Sequence, residues 1–347
     1  MASPLPFIVT VLAIVTPSLA AVTVNTSAII QTLSIDFYKR KCPSVEKIVS
    51  DVIKKNALTN KGSIPGIIRL HFHDCFITGC DGSILLTPER YNLYNTEMAH
   101  PANGISLRGM EVINQIKTEV EKHCPNVVSC ADILAYAARD AIVSVGNPHY
   151  VIPAGRRDGV AIDGNFAGGL PKSISNIERL TEQYAEKGLT VEDLVVLEGS
   201  HSIGQSRCQG TIAEVNSTLE VPAVDNFLDK SYKAMVENQS CAPKDSGVFW
   251  RLTTPLNPEK KVNEAWGVSF YENISKGKGV LPSDLAMAVH GTTKDMVKQY
   301  ASNAELWKKK FNEAMIKLGK MNVLTGEQGE IRRHCGIINS VNIPVKQ

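Results

Sequence analysis

The 347-residue sequence has no excess of one charge sign and no apolar run long enough to cross a membrane. Lys and Arg number 37 against 35 Asp and Glu, a formal net charge of +2. This near neutrality predicts neither nucleic acid nor an anionic membrane surface as a partner. The apolar stretch near the amino terminus is broken by Pro6 and Pro17 and falls short of the roughly 20 residues that a spanning helix needs. A hydrophobic content of 43% is ample for a sizeable core.

The amino-terminal apolar stretch, Phe7–Val15, precedes a run of small residues, which is typical of a cleaved secretory signal. We expect cleavage near Ala20, so that residues 1–20 are a signal peptide and residues 21–31 a flexible leader. The remainder shows no internal repeat, low-complexity segment or linker. The sequence therefore predicts one domain over residues 32–347.

Paired Cys-x-x-Cys steps are also missing, although the chain carries eight cysteines. Their absence disfavours a zinc cluster, and an even count after a secretory signal favours four disulfides, whose pairing the sequence alone leaves open. Twelve residues follow Cys335, which favours secretion to the extracellular space or cell wall over vacuolar sorting. Sequons for N-glycosylation fit the same route and occur at Asn25, Asn216, Asn238 and Asn273.

Strand patterns are rare, whereas apolar residues recur at helical spacing in several segments, which predicts a mostly α-helical protein. The clearest segments are Val45–Ile53, Met110–Val120 and Trp307–Leu318. A helix is predicted to start at Thr190 and to run into Ser200 and His201, which places His201 at a helix end. Between Asp245 and Gly279 the pattern is polar and predicts a loop insertion.

The densest chemistry lies in the stretch RLHFHDCFITGCDGS, residues 69–83. Arg69 and His73 are four residues apart and share one helical face, where a fixed cation and a neutral imidazole could act on a small polar substrate. The plainer alternative is a buried, hydrogen-bonded core histidine, and His71 is predicted to be that case.

The turn after this predicted helix carries oxygen ligands. Asp74, Asp81 and Ser83 surround a short loop between Cys75 and Cys80. Hard oxygen ligands suit calcium better than zinc or copper. A solvated acidic loop is the alternative.

The segments RLHFHDCF at 69–76 and GCDGS at 79–83 resemble the distal haem motif of the secretory plant peroxidases, known as class III. Four further motifs resemble the same family in the same order: VSCAD at 128–132, GRRD at 155–158, residues 197–208, and GVLPSD at 279–284. The resemblance covers nearly the whole mature chain and implies an all-α haem peroxidase fold, with haem b between two helical halves and four disulfides. It further implies a monomer that reduces hydrogen peroxide and oxidises small phenolic donors by one-electron steps.

The resemblance assigns a role to each matching residue. Arg69 and His73 would cleave the peroxide, and Asn103 would orient His73. His201 would be the axial ligand of the haem iron, and Asp284 would accept a hydrogen bond from it.

The resemblance also implies one donor contact, four disulfides and a distal calcium site. Pro171 would meet aromatic donors through its backbone carbonyl. The implied disulfides are Cys42–Cys124, Cys75–Cys80, Cys130–Cys335 and Cys208–Cys241. The implied calcium ligands are Asp74, Ile77, Gly79, Asp81, Ser83 and, through water, Glu97.

The family's second, proximal calcium site is altered in this sequence. Ser202 keeps the hydroxyl that the family has there, but Arg251 and Gly267 stand where the family has aspartates. We therefore expect one calcium, with Arg251 as a substitute for the second ion. The alternative is a shifted alignment that returns Glu259 or Glu264 to the site.

Two further departures lie on the proximal side. Trp250 stands where secretory members usually have phenylalanine; it is interpreted as a larger core aromatic, with a redox-active indole as the alternative. Glu198 stands where the family usually has a small residue. These changes leave a catalytically weak, secreted haem- or calcium-binding protein as the alternative function. A metal hydrolase is a third hypothesis, built on His71, His73, Asp74 and His201.

Overall fold

The computed structural model describes residues 33–88, 96–160, 168–213, 222–242, 251–257 and 266–339. Several expectations fall outside these ranges: the signal peptide and leader, the sequons at Asn25 and Asn216, and the interpretations of Trp250, Glu259 and Glu264.

The described residues are mostly helical, as the periodicity predicts. The α-helices are α1 (Val45–Thr59), α2 (Ser63–Ile77), α3 (Met110–His123), α4 (Cys130–Ser144), α5 (Ile177–Glu186), α6 (Val191–Glu198), α7 (Pro222–Phe227), α8 (Lys230–Met235), α9 (Ser269–Ile274), α10 (Pro282–Val289), α11 (Lys294–Ser302) and α12 (Ala304–Leu318). Short 3₁₀ turns span Ser83–Leu85, Glu97–Ala99, Gly104–Ser106 and Gly199–Ser202, and a π turn spans Val236–Ser240. Two strands, β1 (Gln205–Arg207) and β2 (Thr253–Pro255), pair antiparallel with Ser206 opposite Thr254.

The helix that leads to His201 begins as the sequence predicts. The Thr190 hydroxyl accepts a hydrogen bond from the backbone N–H of Asp193 at 3.1 Å, and the Asp193 carboxylate accepts one from the Thr190 N–H at 2.7 Å. This reciprocal cap satisfies two N–H groups that the first turn of α6 leaves unpaired. The helix ends at Glu198, and the 3₁₀ turn that follows carries His201.

One helix supports both parts of the predicted site, because α12 packs on α2 and on α6. Trp307 of α12 is fully buried, and its Nε1 donates to the carbonyl of Val196 at 3.2 Å. Since α2 carries Arg69 and His73 and α6 leads to His201, this packing fixes the two segments to a common core.

All four implied disulfides are present: Cys42–Cys124, Cys75–Cys80, Cys130–Cys335 and Cys208–Cys241. The Cys75–Cys80 bond closes the turn after α2, directly beside the predicted calcium ligands. The loss of a native disulfide from a secreted domain typically costs about 2–5 kcal/mol of stability.

The loop predicted between Asp245 and Gly279 is wrong for two described segments, the strand β2 and the helix α9. Helix α9 buries Phe270, Tyr271 and Ile274. A helix of six residues is shorter than two turns, so it gives too few repeats for its periodicity to show in the sequence.

The sequon at Asn273 lies inside α9 and is buried. The Asn273 side-chain nitrogen donates to Asn257 Oδ1 at 2.9 Å, and the residue is 4% exposed. A glycan on this nitrogen is incompatible with that packing, whereas Asn238 is exposed. None of the helices in the described residues is both long and apolar enough to span a bilayer.

Candidate active site

The middle of α2 carries His73, whose proton position is set by a chain of hydrogen bonds. His73 Nδ1 lies 2.5 Å from Asn103 Oδ1, and the Asn103 amide nitrogen donates to the backbone carbonyl of Glu97 at 2.8 Å. Because that nitrogen is already a donor, Oδ1 must be the acceptor, and His73 therefore carries its proton on Nδ1. Nε2 of His73 is left as the basic nitrogen.

Burial and the neighbouring Arg69 keep His73 neutral. Burial and the Arg69 charge lower the pKa of His73 well below its usual value, although the hydrogen bond to Asn103 opposes the shift. The Arg69 guanidinium donates to the Ser106 hydroxyl at 3.2 Å. Burial and two neighbouring arginines lower the pKa of Arg69 to about 10, so it remains a cation at neutral pH. A neutral base therefore stands on the same helical face as a fixed positive charge.

Arginines form a cluster beside Arg69. The charges of Arg108 and Arg207 both lower the pKa of Arg69, and burial together with the charges of Arg108 and Arg251 lowers the pKa of Arg207. Arg69, Arg108 and Arg207 lie within electrostatic range of one another, and Arg251 lies within range of Arg207, so this positive charge favours an anionic partner. The carboxylates of a haem group are such a partner.

His201 is held by two carboxyl groups. Its Nδ1 lies 3.0 Å from Asp284 Oδ1 and 3.0 Å from Glu198 Oε2. Burial lowers the pKa of His201, but the charges of Asp284 and Glu198 reverse this and raise it well above its usual value. Burial raises the pKa of Asp284 to about 6, and Glu198 adds to that rise while His201 opposes it.

The two carboxyl groups engage the Nδ1 edge of His201, which leaves Nε2 for another ligand. Among the described residues, His201 forms its hydrogen bond to Asp284 and its ion pair with Glu198 through Nδ1, and its side chain keeps 27% of its surface exposed. An imidazole with one nitrogen fixed by carboxylates and the other available is the usual form of a metal-ligating histidine. With the arginine cluster, this donor set fits a haem group.

The turn that carries His201 packs against two aromatic side chains, Tyr271 and Trp307. Tyr271 donates through its hydroxyl to the carbonyl of Val195 at 2.9 Å, and Trp307 packs beside it. A Cβ at Gly199 would lie 2.5 Å from both Trp307 Nε1 and the Tyr271 hydroxyl. Only glycine fits this approach, so the end of α6 cannot shift without moving the aromatic core.

Glu198 is the site residue whose position the sequence does not reveal. Its departure from the family pattern suggests weak activity, whereas the structure places its carboxyl in direct contact with His201. The three-residue spacing of Glu198 and His201 is the signal that points to this contact, since residues three apart share a helical face.

Three buried carboxyl groups, those of Asp74, Asp81 and Glu97, gather at the carboxyl end of α2. Asp74 accepts from the backbone N–H groups of Gly82 at 3.0 Å and Ile84 at 3.3 Å. Asp74, Asp81 and Glu97 are 0%, 8% and 4% exposed. The solvated-loop alternative is therefore wrong.

The same carboxyl groups repel one another. Burial and the charges of Asp81 and Glu97 raise the pKa of Asp74 well above its usual value. Burial and the charge of Asp81 raise the pKa of Glu97 to about 7. Glu97 Oε1 accepts from the hydroxyls of Thr78 and Ser83, both at 3.1 Å, but its buried Oε2 has no hydrogen-bond partner. Hard oxygen ligands with one unsatisfied atom fit calcium.

The proximal calcium site keeps only part of its ligand set. Ser202 Oγ is buried without a partner, and Thr254 is buried beside β1. Arg251 is exposed and lies within electrostatic range of Arg207. The substitution of Arg251 for the second ion stays a prediction. Gly267 supplies no side chain, so positions 251 and 267 contribute no negative charge.

Pro171 and His71 are the remaining residues to which the sequence gives a role, and they differ in burial. Pro171 is partly buried and lies three residues before the exposed Ile174. His71 is buried, and its Nδ1 lies 3.6 Å from Cys75 Sγ, a sulfur of the Cys75–Cys80 disulfide. His71 is thus the structural histidine that the sequence predicts.

The hydrolase hypothesis is wrong. It requires the two histidines of α2, Asp74 and His201 to converge on one metal. In the ranges that the structure covers, the groups with ligand atoms close enough for one ion are His71 with the disulfide cysteines, and His201 with Glu198 and Asp284. His73 instead faces Asn103.

Comparisons with known proteins agree with this site. Residues 45–303 match the family model described as Peroxidase. The chain is 39% identical to Peroxidase 5 of Vitis vinifera over 309 residues, which cover 89% of this chain and 92% of that protein. It is 39% identical to Peroxidase 1 of Zea mays, over 88% of this chain and 83% of that protein. It is also 35% identical to Peroxidase 39 of Arabidopsis thaliana, over 88% of this chain and 93% of that protein.

Proposed function

The chain belongs to the class III plant peroxidase family and is a haem peroxidase, and from that premise we propose which residues carry out its reaction. When bound, haem supplies the iron that takes up peroxide and the oxidising power that is passed to the donor. His201 would hold the iron through Nε2, and Asp284 would fix the imidazole through Nδ1. The arginine cluster would hold the haem carboxylates.

Two residues of α2 would move the proton and stabilise the charge during peroxide cleavage, for which the bound haem would supply the electrons. His73 Nε2 takes the proton from one oxygen of hydrogen peroxide and returns it to the other oxygen, which leaves as water. Arg69 stabilises the negative charge that develops on the leaving oxygen. The observation that carries this proposal is the His73–Asn103–Glu97 hydrogen-bond chain, because it leaves Nε2 unprotonated beside a cation.

The proposal also includes a phenolic electron donor, one bound calcium and secretion of the protein. Small phenols would give up single electrons near Pro171, which lies close to the exposed Ile174. One calcium would be held by Asp74, Asp81, Ser83 and Glu97, with the carbonyls of Ile77 and Gly79. The protein would be a monomer, and it would be secreted, since its disulfides require an oxidising compartment.

Steady-state turnover tests this function against its alternative. Haem-loaded protein with hydrogen peroxide and a phenol such as guaiacol is expected to oxidise the phenol continuously, in proportion to the haem bound. Full haem occupancy with negligible phenol oxidation would instead support the catalytically weak binding protein.

We expect one tightly bound calcium per chain. The distal set has three buried carboxyl groups, whereas Arg251 and Gly267 remove two carboxylates from the proximal set, and hard dications depend on ligand charge. Metal analysis of the folded, desalted protein measures the ratio directly. Asp81→Asn is expected to lower it towards zero, and Ser202→Ala to leave it unchanged. Two retained calcium ions per chain would contradict this account of the proximal site.

A further inference from the structure

Glu198 occupies a position that is electrostatically unfavourable without a specific partner. It is the last residue of α6, where the helix dipole is negative, and it lies beside the buried Asp284. Its carboxylate is only 13% exposed. Asp284 lies in the first turn of α10, and two neighbouring carboxylates repel each other unless a donor lies between them.

His201 is that donor. Its Nδ1 atom lies 3.0 Å from Asp284 Oδ1, its hydrogen-bond partner, and 3.0 Å from Glu198 Oε2, with which it forms a close ion pair. One N–H group can be shared by two acceptors, and Asp284 alone would already satisfy it. The second acceptor therefore does more than satisfy a buried polar atom.

We propose that Glu198 is a positioning residue that shares the Nδ1 proton of His201 with Asp284 and so strengthens electron donation from the imidazole to the haem iron. The inference rests on the proposed role of His201 as the iron ligand. Outer partners of a metal-bound histidine fix the ring orientation and raise its basicity, and a second partner extends both effects. A more basic imidazole stabilises the ferric over the ferrous state.

Glu198→Ala and Glu198→Gln test the proposal on the haem-loaded protein, with Glu186→Ala as the matched control. Glu186 is an exposed acid on α5, so its removal changes the net charge equally without touching the site. The readouts are the ferric/ferrous midpoint potential and the iron–histidine stretching band of the ferrous protein. Asp284→Asn is the reference variant: it shows how far the potential and the stretching band move when the negatively charged hydrogen-bond partner of His201 is neutralised.

In Glu198→Ala we expect the ferrous fraction at a fixed potential to rise about tenfold, which is about 59 mV for a one-electron couple. The stretching band should move to lower frequency, in the direction that Asp284→Asn gives. Glu198→Gln keeps an oxygen acceptor without the charge, so it should fall between wild type and Glu198→Ala. Glu186→Ala should match wild type.

Unchanged potential and stretching band in both Glu198 variants would overturn the proposal and make Glu198 a packing residue. A shift in the opposite direction would also overturn it, because Glu198 would then weaken the bond to Asp284. Failure of the proposed function is distinct from either result, since the wild-type protein would then lack the iron–histidine band.

Discussion

Replacing His73 by leucine is expected to lower kcat/KM for hydrogen peroxide by about 10²- to 10⁴-fold, the usual contribution of a positioned general base. Leucine fills the buried space but cannot accept a proton, so the peroxide must be deprotonated by solvent. Haem occupancy should stay close to that of wild type, because His73 lies on α2 and His201 follows α6. The rate of the first spectral change on mixing with peroxide measures the effect.

His71→Gln is the matched control for this experiment. His71 lies on the same helix two residues away, but it contacts the Cys75–Cys80 disulfide and not Asn103. The peroxide rate per bound haem should therefore remain near that of wild type, while Tm falls. If His73→Leu reacted with peroxide at the wild-type rate, another group would have to be the base.

Removal of the distal calcium is expected to lower both stability and peroxide reactivity. Without the ion, Asp74, Asp81 and Glu97 are three buried carboxyl groups in mutual repulsion. A ligand present at 100 to 1,000 times its Kd stabilises a protein by about 2.7–4.1 kcal/mol, and that amount should be lost. Reactivity should fall because Asn103, which orients His73, is itself held by the carbonyl of Glu97.

The calcium prediction is checked by thermal unfolding and by peroxide reaction rates before chelation, after chelation and after calcium is restored. Asp81→Asn should behave like the chelated wild type and gain nothing from added calcium. Glu305→Gln, which changes an acid that is 80% exposed, should respond like wild type. Equal Tm and equal rates with and without calcium would contradict a structural link between the ion and His73.

The sequence predicts parts of this site for physical reasons that are local. Thr190 and Asp193 mark the start of α6, so the position of His201 at its end follows from counting residues. The four-residue spacing of Arg69 and His73 likewise places them on one helical face.

Other parts depend on contacts between distant segments. The Glu97 carbonyl orients Asn103, and Asn103 in turn sets the tautomer of His73. The position of this backbone carbonyl cannot be predicted from a pattern of side chains. Asp284 reaches His201 through tertiary packing alone, because 83 residues separate the two in the sequence. The sequence pattern indicates a loop at α9 because the burial of this short helix depends on its neighbours and not on a repeated local pattern.

The central claim is that His201 holds a haem whose reaction with peroxide is driven by His73. The most direct test is stopped-flow visible absorption of haem-loaded protein mixed with one equivalent of hydrogen peroxide and then with a phenol. The account predicts a rapid change of the Soret band, much slower in His73→Leu, and a return to the starting spectrum after the phenol is added. A Soret band that peroxide leaves unchanged in the wild-type protein would contradict it.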